Sequence, residues 1–450
     1  MKQNNRLINW MTFVAVNGGL LFGLNMAGIS GAIPGIQKYF MLDQMETGLA
    51  VSSIMIGCLV GSLIAGYFGD KYGRKKMMFA TAFLFILSAL ICSMTRQFVL
   101  FVFARIAGGI AVGASSVIVP TYITEVAPAQ RRGTLVSFNQ MAIVTGILLA
   151  YIIDYFLFSL NYTWRFMLAV PLVFGLGYLV LLNISFFESP RWLIKAGRKN
   201  EAKSLLQKIG GTRYALAEIE VVESSLKNIT LDKEVGIISI FKGRTGYVLL
   251  LGTLLAAFQQ ITGINVVINY APVIFQKSGL GADDALFQSI IVGVVNFVFT
   301  IIAVWLVDRK GRRSLLLWGA AGMTLSLIFL SATFAGFAGN AGMIISVLMY
   351  IAFFAASLAP VMWVVTSEMY PTSVRGIAMS FSTSVSWICS LLVVLFFPLM
   401  FNGLGGVLTF GLFGLFSLLA FIFIKRYIPE TKGKSLEEIE EDLGLTKQHV

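Results

Sequence analysis

The sequence predicts an all-α membrane protein of twelve transmembrane helices, built as two six-helix halves with short helices between the halves and at the C-terminus. Three observations carry this. Of the 450 residues, 57% are hydrophobic and only 12% charged, with a mean hydropathy of +0.83. That is about half the charge of an ordinary soluble chain. The apolar residues gather into runs sufficient for about twelve spans of ~20 residues each. Four short polar patterns also recur at offsets of 238 to 243 residues, so one six-span unit is used twice.

The same numbers exclude several classes. A soluble enzyme of this length would carry far more charge, and the only histidine, His449, is one residue from the C-terminus. Cys58, Cys92 and Cys389 lie in apolar segments with no paired or metal-ligand spacing. No metal, no cofactor and no catalytic residue is expected.

The first apolar run, Ile8 to Pro34, is too long for a signal h-region and reads as the first span. The spans fall near 9–33, 48–68, 77–95, 98–121, 134–154, 166–187, 246–271, 286–307, 314–337, 343–366, 376–401 and 405–427. The one long polar stretch, 189–244, has apolar residues at helical spacing and is predicted to form short surface helices. The chain therefore divides into a bundle over 1–188, a linker over 189–244, a second bundle over 245–428 and a tail over 429–450.

Net charge of +12 is explained by topology rather than by nucleic acid. With the N-terminus inside, only Lys38, Arg96, Arg165 and Lys277 fall in outward loops, and Arg105 lies within a span. The other basic residues face inward, which puts both termini and the linker in the cytoplasm of a multi-pass cell-membrane protein.

The repeated patterns are specific. Gly23-Leu24-Asn25 matches Gly263-Ile264-Asn265, and Asp70-Lys71-Tyr72-Gly73-Arg74-Lys75 matches Asp308-Arg309-Lys310-Gly311-Arg312-Arg313. Glu125 with Arg132-Gly133 matches Glu368 with Arg375-Gly376, and Glu188-Ser189 matches Glu430-Thr431. Each charged cluster, with Arg191 beside Glu188, falls at a cytoplasmic span end. There Asp, Glu and Arg can pair with one another and with helix-end backbone groups, gating the inner side.

These motifs resemble the major facilitator superfamily and, within it, the sugar porters. Gly66 to Lys75 is similar to the superfamily's loop between spans two and three. Glu125-Val126-Ala127-Pro128, Glu188-Ser189-Pro190-Arg191-Trp192-Leu193, Gln259-Gln260-Ile261-Thr262-Gly263-Ile264-Asn265 and Pro429-Glu430-Thr431-Lys432-Gly433 are the sugar-porter patterns. The likeness covers nearly the whole chain. It implies the major facilitator fold, transport of a neutral monosaccharide by alternating access, and function as a monomer in the lipid bilayer.

Polar side chains within spans are costly and mark a cavity or a helix contact. Gln140, Gln259, Gln260, Asn296 and Ser386 all fall near the bilayer midplane, with Asn265 and Asn269 further out on span seven, past a glycine that permits a break. All are neutral amides or hydroxyls, and amides that both donate and accept suit a ligand rich in hydroxyls. Trp363 and Trp387, with Phe22, offer flat apolar faces to a sugar ring. The resemblance assigns sugar contact to the Gln-Gln-x-Thr-Gly-x-Asn set and nominates Gln140, Asn296 and Trp363. Departures are Ser386 for an amide, Asn269 for an aromatic gate residue, Ala359-Pro360 for Gly-Pro and Phe187 for proline.

Asn25 bears on coupling. In proton-coupled sugar porters its position holds an aspartate paired with an arginine that corresponds to Arg105. The depths of Asn25 and Arg105 agree, so a hydrogen bond between them is expected, but Asn25 carries no proton. Every acidic residue falls in a loop, a tail or close to a span end, with Asp154 the deepest. The expectation is a facilitative uniporter. The alternatives are a proton symporter using Asp154 or another group, and a non-transporting sugar receptor.

Overall fold

The computed structural model describes residues 4–128, 131–231, 241–277, 279–371, 374–432, 434 and 438. Among these residues every regular element is a helix, and twelve segments are long and apolar enough to cross a membrane. Span one is α1 (Asn5–Ala27), followed by a short α2 (Ile33–Phe40). Spans two to six are α3 (Gln44–Tyr72), α4 (Arg74–Met94), α5 (Phe98–Val126), α6 (Arg132–Ser159) and α7 (Trp164–Ser185). The linker forms α8 (Pro190–Lys195) and α9 (Lys199–Leu231). Span seven is α10 (Gly243–Ile261) with α11 (Ile264–Lys277), and α12 (Ala282–Lys310) and α13 (Arg312–Phe334) are spans eight and nine. Span ten is α14 (Gly339–Ala356) with α15 (Leu358–Met369), and α16 (Arg375–Gly403) and α17 (Gly405–Tyr427) complete the set. The expected C-terminal helix beyond Lys434, and His449, lie outside the described residues apart from Glu438.

Three spans are broken, two of them, spans one and ten, where the apolar run predicts a continuous helix. Span one reads as 9–33 from hydropathy, yet α1 ends at Ala27 and α2 begins at Ile33. Gly28 and Gly31 weaken the helix between them, and Pro34 starts a new one in its first turn. Span seven breaks at Gly263, whose φ of 94° only glycine adopts readily. Span ten breaks at Ser357 (φ −137°, ψ −88°), three residues before Pro360, which brings no N–H to the next turn. Ala359 in place of glycine therefore leaves this break intact.

Small residues set the tightest packing. A Cβ on Gly109 would run into the Ile54 carbonyl oxygen, and one on Gly57 into the Ile106 carbonyl oxygen. The backbones of α3 and α5 thus lie against each other, as membrane helices do when no solvent drives them together. The linker helices form a small core of their own, with Trp192, Leu193 and Ile194 packed on Ala202 and Val222. The Asn4 N–H donates to the Ile209 carbonyl at 2.6 Å, tying the chain's start to α9.

The first and second sets of six spans meet at the end away from the termini. There a Cβ on Gly48 of α3 would strike the Leu395 carbonyl of α16, and Gly293 of α12 packs on Leu148 and Tyr151 of α6. The Tyr151 hydroxyl donates to the Ile268 carbonyl of α11 at 2.7 Å. Gly109→Ala is expected to cost about 2 kcal/mol or more by overpacking. Gly177→Ala, where a Cβ meets nothing within 4 Å, serves as the control. Melting of the two purified variants in detergent measures the difference.

Candidate functional site

A chain of polar side chains runs between the broken spans. The Gln259 amide donates to the Leu358 carbonyl at the start of α15 (2.8 Å), and the Gln260 amide donates to Gln259 Oε1 (3.2 Å). Asn265 Nδ2 lies 2.8 Å from Gln260 Oε1 and 2.7 Å from Ser390 Oγ of α16. Ser390 in turn donates to Met55 Sδ of α3 at 3.3 Å, reaching from one set of six spans to the other. The Thr262 carbonyl beside the span-seven break accepts from the Tyr350 hydroxyl of α14 (3.0 Å). Backbone exposed by the breaks is thereby satisfied without water, as the bilayer requires.

Gln260, Asn265 and Gln140 are only partly buried, although each sits within the bundle. Asn269 is fully buried; its amide donates to the Asn265 carbonyl at 2.7 Å, and its Oδ1 has no partner among the described residues. Asn296 is 6% exposed on α12, and Ser386 is buried on α16 one turn from Ser390. Phe22 of α1 and Trp387 of α16 face each other across the halves with ring centroids 6.2 Å apart. Trp363 is half-buried on α15. Sequence reasoning passed over Ser390. Its signal was the spacing Ser382, Ser386, Ser390, one face of a helix at every fourth residue.

The span-one break holds two buried ionisable side chains. Arg105 is 3% exposed, and its Nη1 donates to the Asn25 backbone carbonyl at 3.2 Å. The expected bond between these residues exists, but not through the amide: Asn25 Nδ2 turns back to the Leu21 carbonyl (2.9 Å). A carbonyl in the last turn of α1 lacks a following turn and attracts a cation. A cavity of about 10 Å³ adjoins Arg105, lined also by Asn25, Ser88 and Cys92. On the other side of the break, Asp154 is 1% exposed, and its Oδ2 accepts from the Gly31 N–H at 3.2 Å. This corrects the expectation that no carboxylate is buried among the spans. Counting residues along α6 places Asp154 near its end, but the α1–α2 turn covers it.

The charged clusters assemble at the termini end, each within its own set of six spans. Arg74 pairs with Asp70 (2.9 Å) and with Glu125 (2.8 Å), and also donates to the Gly69 carbonyl. Glu188 accepts from the Arg74 and Lys75 backbone N–H groups at 2.9 and 3.2 Å, capping α4. The repeat does the same: Arg312 pairs with Glu368 (3.3 Å), and Glu430 accepts from the Arg312 and Arg313 N–H groups. Gly73 and Gly311, at φ 100° and 88°, precede these helices, and a Cβ on either would crowd the capping carboxylate. Lys195 of α8 also pairs with Asp70, at 2.8 Å, so the linker rests on this cluster. Arg375 Nε donates to the Tyr370 carbonyl at 3.2 Å. Arg132 and Arg191 are exposed, Arg132 near Tyr214 of α9, whose hydroxyl burial raises and Arg132 lowers. The Asp308 side chain lies outside the described residues.

Comparison with known proteins decides the family. The model of the family described as "Sugar (and other) transporter" matches residues 11–443. The chain belongs to this sugar transporter family. A D-xylose-proton symporter of Escherichia coli is 36% identical, covering 97% of this chain and 96% of its own. A glucose facilitated diffusion protein of Zymomonas mobilis is 34% identical, with 97% of each chain covered. A partially occluded inward-open structure of the xylose transporter XylE from E. coli superposes with a TM-score of 0.85 at 35% identity, covering 96% of this chain and all of that one. The molecule is thus a multi-pass membrane transporter of the major facilitator type and not an enzyme.

The transporter's two ion-pair clusters differ in burial. Arg74 and Glu125 side chains are 10% and 7% exposed, whereas Arg312 and Glu368 are 16% and 23% exposed and further apart. Glu125→Gln leaves the buried Arg74 guanidinium with Asp70 as its remaining carboxylate and is expected to cost about 2 kcal/mol. Glu368→Gln is expected to cost about 1 kcal/mol. Melting temperatures of the two variants in one detergent check the order.

Proposed function

We propose that this protein carries a neutral monosaccharide, a hexose or pentose, down its gradient as a facilitative uniporter. The single observation behind the uncoupled reading is Asn25. The residue beside the Arg105 guanidinium is an amide, and the arginine is held by a backbone carbonyl instead of a carboxylate. A carrier that couples protons to sugar is a carboxylate or imidazole in contact with the sugar site, and the central polar chain has neither among the described residues.

The sugar lies between the halves, 1–188 and 245–428, against Gln259, Gln260 and Asn265, with Gln140, Asn296, Asn269 and Ser386 completing the hydrogen-bonding set. Trp363, Trp387 and Phe22 supply the apolar faces. The Gln259–Gln260–Asn265 chain holds each amide in a fixed orientation, so its remaining donors and acceptors are set before sugar arrives. The termini and the linker are cytoplasmic. In the present state the outer end is closed by the α3–α16 and α6–α11 contacts. The clusters around Arg74 and Arg312 hold the inner helix ends of each half rigid, and rocking of the halves brings those ends together as the outer end opens.

Reconstituted protein is expected to show counterflow of labelled D-glucose or D-xylose, which a receptor would not. Gln260→Ala removes one donor–acceptor group and is expected to raise the half-saturation concentration about tenfold, the equivalent of about 1.4 kcal/mol. Sugar added to de-energised liposomes is expected to leave external pH unchanged. Alkalinisation would sink the uniport reading, and unaltered affinity in Gln260→Ala would move the site elsewhere.

A further inference from the structure

Asp154, 1% exposed, is buried among the spans away from the clusters at the termini end, and neither sugar nor those clusters account for it. It stands five residues from the end of α6 at Ser159 and fourteen beyond Gln140, so it is ~8 Å from the outer end of the helix and ~21 Å from the nearest proposed sugar ligand on it. Its bond to the Gly31 N–H joins span five to the break in span one.

The groups packed around it leave it without a cation. On its own helix the titratable neighbours are Tyr155, which packs on Phe287 of α12, and Tyr151, one turn inward, whose hydroxyl is committed to the Ile268 carbonyl of α11. From α5, Arg105 Nη1 donates to the Asn25 carbonyl, its Nε and Nη2 have no partner among the described residues, and it makes no ion pair with Asp154. From α7, Arg165 donates to the Ser93 carbonyl and lies over the Tyr39 and Trp164 rings. Lys38 of α2, Lys277 of α11, and Asp283 and Asp284 of α12 are exposed at their helix ends. An unpaired carboxylate shut away from water costs several kcal/mol, and a proton removes most of that cost. The same group facing water at an open outer end is stable as the anion.

We propose that Asp154 is a proton-binding site of the outer gate. It takes a proton from the outside as the gate closes over it and returns that proton to the outside as the gate opens. Tyr151 and Leu148, packed on Gly293, separate it from the central polar chain, so its proton has no route inward with the sugar. External pH then sets the fraction of outward-open carriers without driving accumulation. This rests on the uniport reading and on cytoplasmic termini.

Closing binds a proton, so acid outside favours the closed gate and alkali the open one. Apparent affinity for external sugar scales with the outward-open fraction. In liposomes of uniform orientation with fixed internal pH, the half-saturation concentration for external D-glucose or D-xylose, whichever shows counterflow, is measured from pH 8 to pH 5. It is expected to rise as pH falls, by at most tenfold per unit, the limit for one proton. Asp154→Asn, a permanently neutral isostere, is expected to give a flat profile at the weak-affinity level. A flat wild-type profile overturns the proposal whether or not the variant folds, as does a variant that keeps the wild-type profile. Sugar-triggered proton uptake that vanishes in Asp154→Asn would overturn this proposal and the uniport reading together. Uptake that persists in the variant would overturn the uniport reading on which the proposal rests.

Discussion

A peptide group inside a bilayer must be bonded, and this chain breaks three of its spans all the same. The side chains that look most functional are those that satisfy the breaks. Tyr350 takes the Thr262 carbonyl beside the span-seven break, and Gln259 takes the Leu358 carbonyl beside the span-ten break. At the span-one break Arg105 takes the carbonyl of Asn25 and Asp154 takes the N–H of Gly31. The polar residues near the midplane therefore have two tasks. They hold irregular backbone in place and, on the proposed function, offer the groups left over to the sugar.

That arrangement explains how a transporter with so few charges places two ionisable groups deep in one half. A cation on a helix C-terminus matches the local backbone dipole, and a carboxyl group accepting from the Gly31 N–H beyond it keeps that bond whether ionised or protonated. The carbonyl that holds Arg105 does not substitute for a carboxylate there, because it has no proton to exchange. The family contains both a proton symporter and a facilitated diffusion protein among this chain's relatives, so the fold is compatible with either mode.

Much of the fold was legible in the sequence because hydropathy and repetition are properties of a linear string. Twelve spans, the doubled six-span unit and the break at Gly263 follow from run length, offset and one glycine. The paired clusters were legible as compositions, but their contacts were not: Arg74 and Arg312 close on partners of their own half and on the helix-capping Glu188 and Glu430. The burial of Asp154 is hidden from the sequence for a related reason. Distance from a helix end measures depth along an axis, whereas burial depends on what crosses that end, here the turn made by Gly28, Gly31 and Pro34. Arg105 reaching the backbone of Asn25 instead of its amide depends on the amide's own bond to Leu21, which spacing does not reveal. Ser390 was readable from its four-residue stripe and was overlooked because serine in a helix commonly bonds its own backbone.

Uncoupled transport is the central claim, and the steady-state accumulation ratio tests it most directly. Liposomes carrying the wild-type protein are given an inward proton gradient and labelled sugar, and the internal and external concentrations are compared at steady state. A uniporter brings the ratio to one and leaves it there when the gradient is collapsed. A ratio well above one that falls with a protonophore would contradict the account.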